Sequence, residues 1–144
     1  MSKTIIVSNR LPVKIAKENE EYHLKVSEGG LATGLGSIYK EGENIWIGWA
    51  GLDVPKNDEQ EIIDKLKQEN LFPVFLSPKE IQNYYEGFSN ETLWPIFHYM
   101  STYAQYEQEY WDYYRLVNEK FKNVVLKIAK HYNWVFSTHS VSVL

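Results

Sequence analysis

A chain of 144 residues with 44% hydrophobic and 24% charged content has the size and composition of one ordinary globular domain. It has no cysteine, which excludes disulfides and thiolate metal sites, and no apolar run near the roughly 20 residues needed to cross a bilayer. The net charge of -4 argues against non-specific nucleic-acid binding, and the start Met1-Ser2-Lys3-Thr4 has no signal-peptide character, so a cytoplasmic location is the default expectation.

Thr4 to Val7 is a short apolar, β-branched run and reads as a buried strand. Ser8-Asn9-Arg10 follows at once, so Arg10 falls just past the strand's C-terminal end, where open α/β sheets bind ligands. Lys14 to Ser27 is polar and weakly patterned and reads as a loop or a flexible hairpin. Gly29-Gly30 opens a predicted helix reaching about Lys40, with Leu31, Leu35 and Ile38 on one face. Asn44 to Ala50 reads as a second strand. Asp58 to about Glu69 reads as a helix, with Asp58, Glu59 and Glu61 at its positive dipole end and Ile62, Ile63 and Leu66 on its apolar face. Leu71 to Leu76 reads as a strand. Ser77-Pro78-Lys79-Glu80 then has the form of a capping box with proline at the first helical position.

That helix is expected to end near Gly87. Pro95 argues for a short helix and a loop across Phe88 to Met100. The longest helix is predicted from about Glu107 to Lys130, where Tyr110, Tyr114, Val117, Phe121, Val124, Val125 and Ile128 recur at helical spacing. Trp134-Val135-Phe136 reads as a last strand. The order β, α, β, α, β, α, α, β predicts an α/β fold with a parallel sheet. A sheet that stops one strand after its longest helix looks incomplete, so a fragment or a truncated reading frame is expected.

Arg10 carries the sharpest chemistry. Its planar, always charged fork fits a phosphate through two parallel hydrogen bonds. A surface ion pair is the plain alternative. Successive glycine amides at a helix start, as at Gly29 and Gly30, present N–H groups to an anion, although a tight turn uses the same pair. The spacing is not the dinucleotide fingerprint. Trp46 and Trp49 lie an odd number of residues apart, on opposite faces of their strand, and Trp49 is the ligand candidate by position. Tyr84, Tyr85 and Trp94 flank a predicted loop. Each alone suits packing, and together they suit the walls of a sugar pocket. The four histidines His23, His98, His131 and His139 lack metal-ligand spacing, and no Gly-x-Ser-x-Gly elbow is present.

These residues in order resemble the start of the trehalose-6-phosphate synthases, family 20 of the glycosyltransferases. The match runs through Ser8-Asn9-Arg10-Leu11-Pro12-Val13, Gly29-Gly30-Leu31, Trp46-Ile47-Gly48-Trp49, Tyr84-Tyr85, Phe88-Ser89-Asn90 and Leu93-Trp94-Pro95-Ile96-Phe97-His98-Tyr99. It continues through Trp111, Tyr114, Val117-Asn118 and Phe121, and covers roughly residues 3 to 130. The resemblance implies a GT-B enzyme, with two Rossmann-like domains facing across a cleft. Such an enzyme moves glucose from UDP-glucose to glucose 6-phosphate with retention and without a metal or other cofactor. Residues 1–144 would then be a partial N-terminal, acceptor-binding domain with an incomplete Rossmann-like parallel sheet and flanking helices. The C-terminal donor-binding domain would be absent.

By that resemblance Arg10 grips the acceptor phosphate, and Trp49, Tyr85 and Trp94 line the glucose 6-phosphate pocket. Gly29 and Gly30 approach the donor phosphate, and the segment from Lys14 to Ser27 acts as a mobile flap. The family continues with a Trp-Val-His-Asp-Tyr-like motif carrying an important histidine. Here the chain reads Trp134-Val135-Phe136-Ser137-Thr138-His139, with Phe136 in the histidine position. No catalytic residue is therefore assigned, and the chain alone is expected to bind acceptor weakly without turnover. The alternatives are a non-catalytic sugar-phosphate-binding or regulatory module and a related synthase with another acceptor such as glycerol 3-phosphate. No nucleic-acid or membrane partner is expected.

Overall fold

The computed structural model describes residues 4–26 and 44–133. The chain divides into two compact units, Met1–Phe75 with Val124–Leu144, and Leu76–Asn123. The predicted helix from Gly30 and the predicted strand Trp134 to Phe136 lie outside the described residues.

In the first unit, β1 (Ile5–Arg10), β4 (Ile45–Trp49) and β5 (Leu71–Val74) form a parallel sheet in the order β1-β4-β5. The expected α/β class with a parallel sheet is therefore present. All five residues of β4 are buried, as a strand with neighbours on both edges requires. Pro73 in β5 has no N–H to give, which an edge position tolerates. Among the described strands β5 pairs with β4 alone.

Of the two readings of the segment from Lys14, loop or hairpin, the described residues form the hairpin. Val13–Glu18 (β2) and Glu21–Val26 (β3) pair antiparallel in full register from Lys14↔Lys25 to Glu18↔Glu21. Asn19 and Glu20, both at positive φ (50° and 65°), make the two-residue turn whose twist suits a tight hairpin. Ile15 and Tyr22 turn inward and join Leu11, Trp46, Val54, Ile62, Leu66 and Leu71 in one core cluster.

Glu59–Lys67 forms α1 against this sheet, with Ile62 and Leu66 fully buried. Burying each of these side chains is worth about 1.5–3 kcal/mol. Asp58 sits at the N-cap without capping the helix. Its carboxylate instead accepts from the Tyr22 hydroxyl at 2.6 Å and faces Lys17 Nζ at 3.5 Å. The donated Tyr22 hydrogen bond, against some desolvation and with help from Lys17, holds the Asp58 carboxyl below its ordinary value. Lys65 Nζ closes the link from the other end by donating to the Tyr22 carbonyl at 2.9 Å. The hairpin is thus fastened to α1 at three points.

In the second unit the capping box is complete. Ser77 Oγ accepts from the Glu80 N–H at 3.2 Å, and Glu80 Oε2 accepts from the Ser77 N–H at 2.8 Å. The helix it starts, α2 (Pro78–Ile81), does not stop near Gly87. It passes into a π-helical stretch, Gln82–Leu93, and then into α3, Trp94–Phe97. Two features of the sequence that read as helix breaks have other uses. A Cβ on Gly87 would lie 2.7 Å from the Tyr110 ring, so the glycine allows a close crossing. Pro95 has no N–H for the carbonyl of Glu91, and that carbonyl accepts from the Gln105 N–H at 2.8 Å instead. Thr92 Oγ1 donates to the Gln105 carbonyl, so one residue of the following segment is held on both sides.

A 3₁₀ turn at Ser101–Tyr103 leads to α4, Gln108–His131, close to the predicted limits. Of its predicted apolar face, Val117, Phe121 and Ile128 are buried and Tyr110, Tyr114, Val124 and Val125 are half-buried. Tyr84 stacks on Tyr114 with centroids 5.9 Å apart, and Phe88 lies 4.6 Å from Tyr114. Burial and the neighbouring Tyr114 and Tyr85 push the Tyr84 hydroxyl up to about 12. Among the described residues no helix is long and apolar enough to cross a membrane.

Candidate functional site

The chemistry expected at Arg10 begins with an irregularity in β1. Its pairing with β4 runs Ile5↔Ile45, Ile6↔Trp46, Val7↔Ile47 and then jumps to Arg10↔Trp49. Two residues, Ser8 and Asn9, therefore face Gly48 alone, which re-aims the chain at the strand's end. Arg10 is the last residue of the strand rather than the first residue beyond it.

Three contacts hold this bulge. Trp46 Nε1 donates to the buried Ser8 Oγ at 2.7 Å, and Ser8 Oγ donates to the Arg10 carbonyl at 2.5 Å. The Leu11 N–H donates to the Trp49 carbonyl at 3.0 Å. Gly48 makes the approach possible: a Cβ there would lie 2.7 Å from both Arg10 C and Leu11 N. Ser8, Trp46 and Gly48 thus fix where Arg10 emerges.

Arg10 is exposed, and among the described residues no carboxylate pairs with it. Its guanidinium carbon lies 4.7 Å over the centroid of the Trp49 ring. Among the described residues the plain reading of Arg10 as half of a surface ion pair finds no partner. A guanidinium held over an indole face by its charge still has N–H groups to offer an oxyanion. Beneath it, Trp49 is 7% exposed, and its Nε1 has no hydrogen-bond partner among the described residues. Asn9 Oδ1 is also buried without one. Buried polar atoms are rarely left unpaired.

Arg10 and Trp49 are therefore brought together at the C-terminal ends of adjacent parallel strands. Tyr85 and Trp94 belong to the second unit and lie on one continuous helical run, not on either side of a loop. Both are presented to solvent, at 40% and 50% exposure, whereas Tyr84 is buried and serves packing. Gly29 and Gly30 lie outside the described residues. Ser8 and Asn9 lie in the matched string, but the sequence assigned neither of them a role. Their roles depend on a register jump, which leaves no trace in hydrophobic periodicity. Among the described residues no three potential ligands gather to hold a metal ion.

The profile of glycosyltransferase family 20 matches residues 2–137. The chain belongs to glycosyltransferase family 20. Within that family it is similar to the UDP-forming alpha,alpha-trehalose-phosphate synthase A of Dictyostelium discoideum. The two are 41% identical over 141 residues, which cover 95% of this chain and 19% of the relative. Among solved structures it is similar to one described as trehalose-6-phosphate from E. coli bound with UDP-2-fluoro glucose. That likeness has a TM-score of 0.63 and 28% identity, over 88% of this chain and 25% of the other. It is also similar to a UDP-forming synthase from Burkholderia xenovorans in complex with glucose-6-phosphate. There the TM-score is 0.60 and the identity 27%, over 88% of this chain and 26% of the other. The chain spans about a fifth to a quarter of the length of these family 20 relatives.

Proposed function

We propose that this chain is the acceptor-binding part of a UDP-forming trehalose-6-phosphate synthase, a retaining glycosyltransferase that moves glucose from UDP-glucose to glucose 6-phosphate. The observation that carries the reading is the exposed Arg10 fork, without a carboxylate partner among the described residues, lying over Trp49 at the ends of β1 and β4. Two relatives solved with a nucleotide-sugar analogue and with glucose-6-phosphate support the substrate classes.

In this reading Arg10 takes the acceptor phosphate through paired charge-assisted hydrogen bonds. Trp49, Tyr85 and Trp94 offer aromatic surface to the apolar C–H face of the sugar. Gly29 and Gly30 give backbone N–H groups to the donor phosphate. Residues 1–144 act as an N-terminal acceptor domain, and leaving-group charge is stabilised by polypeptide that the longer relatives have beyond the matched stretch. No metal or cofactor takes part, and the reaction is cytoplasmic.

Calorimetry with glucose 6-phosphate tests this reading. Weak binding is expected, and Arg10→Ala should abolish it. Arg10→Lys, which keeps the charge and loses the planar fork, should fall between the two. Unchanged binding by a folded Arg10→Ala chain refutes the phosphate role.

A further inference from the structure

Trp94 is held with more restraint than a half-exposed side chain needs. It precedes a proline, yet its backbone sits at φ -58° and ψ -48°, the helical region that a following proline disfavours. The Trp94 N–H donates to the Ser89 carbonyl, the wide π-helical connection. On the far side the helix closes with two bonds: Tyr99 N–H to the Ile96 carbonyl at 3.2 Å, and Met100 N–H to the Pro95 carbonyl at 2.8 Å. This closure places Tyr99 at φ 59°, a position that usually takes glycine or asparagine. Disfavoured backbone at both ends of so short a segment persists only where the surroundings impose it, and such segments gather at ligand clamps.

What this backbone presents is a pair of stacked rings. The Trp94 indole and the His98 imidazole have centroids 3.8 Å apart and planes within 17°. His98 Nδ1 lies 2.8 Å from the Trp94 carbonyl oxygen. A carbonyl only accepts, so Nδ1 carries the proton and donates it. His98 is therefore fixed to the backbone of the residue whose ring it covers. Both side chains are exposed, so the pair adds little to a core. Its evident effect is to set the plane of the indole.

We propose that His98 is a positioning residue, which locks the Trp94 indole in the plane that meets the acceptor's sugar ring. The proposal rests on the reading of Trp94 as part of the acceptor pocket. Stacking on a pyranose needs one ring plane. An indole already held in it loses less rotamer freedom on binding than one that turns.

A double-mutant cycle tests the proposal, with glucose 6-phosphate affinity measured by calorimetry on the full 144-residue chain. His98→Ala should weaken binding about three- to tenfold, the range of one lost aromatic stacking contact. Trp94→Ala should also weaken binding, and adding His98→Ala to it should cost nothing more. His98→Phe, which keeps a ring over the indole, should recover most of the affinity. NMR relaxation of the Trp94 indole N–H should show more motion in His98→Ala than in His98→Phe.

A His98→Ala loss of the same size in the Trp94→Ala background overturns the proposal, because His98 would then act on the fold at large. Full affinity in His98→Ala, with a loss in Trp94→Ala, overturns the positioning role and leaves the pocket reading intact. Full affinity in Trp94→Ala, or no binding by the unmodified chain, overturns the pocket reading and the proposal with it.

Discussion

Ser8 is small, buried and placed between two strands, and its hydroxyl does two tasks at once. It accepts the Trp46 indole N–H and donates to the Arg10 carbonyl, joining the core to the residue that emerges from it. Ser8→Ala removes both bonds at once. Each such bond contributes about 0.5–1.5 kcal/mol net, so urea unfolding should show a loss of about 1–3 kcal/mol. Glucose 6-phosphate binding should weaken as well, although Ser8 makes no direct contact in the proposed role. Retained stability in Ser8→Ala means that the hydroxyl is not the hub described. At this scale the place of Arg10 at the end of the first strand was legible in the sequence, because an arginine after an N-terminal β-branched run is conspicuous. Its stack on Trp49 was not. Which side chain an arginine covers depends on a pairing register that a single strand does not encode.

Among the elements, the start of α2 was the most legible, because a capping box is a fixed local spacing of chemically matched residues. Its acid partner has a second use. Glu80 is 7% exposed and pairs with Lys120 Nζ at 2.6 Å. Burial pushes its carboxyl up, but the Lys120 ion pair and the Ser77 N–H outweigh burial and leave it below the ordinary carboxylate value. A carboxyl lowered on folding stabilises the native state above its unfolded value, and that contribution is lost as the pH falls through the folded value. Acid titration of stability should therefore show a loss below about pH 4.5 that Glu80→Gln reduces. An identical acid profile in the folded Glu80→Gln chain contradicts this assignment. The helical run beyond α2 was misread for a physical reason. Gly87 and Pro95 read as punctuation when only local propensity is weighed. The glycine is there for the Tyr110 ring, and the carbonyl left over by the proline finds Gln105. Both partners are remote in sequence. The hairpin was half legible for a related reason. Its strands carry charged outer residues that mask the inward Ile15 and Tyr22.

Across the whole molecule, the parallel sheet was legible because strands and helices alternate in the sequence, and the family match was legible in its ordered aromatic strings. The division into two compact units was not, since the boundary near Phe75 and Leu76 has no linker composition. Within the first unit β4 has a neighbour on each edge and no exposed residue, so its amides should exchange with solvent most slowly. Hydrogen exchange that protects β2 or β3 more than β4 contradicts this ranking. The same pairing also orders events in time. Ile5 to Arg10 leave the ribosome well before their partner strand, which begins at Ile45. Until that later strand arrives, β1 lacks its partner β4, the bulge at Ser8 has no Trp46 to anchor it, and Arg10 has no Trp49 beneath it. Contacts so far apart in sequence close slowly. The proposed phosphate grip is therefore assembled only when β4 has formed, and folding delays that spare local helices would be felt there first.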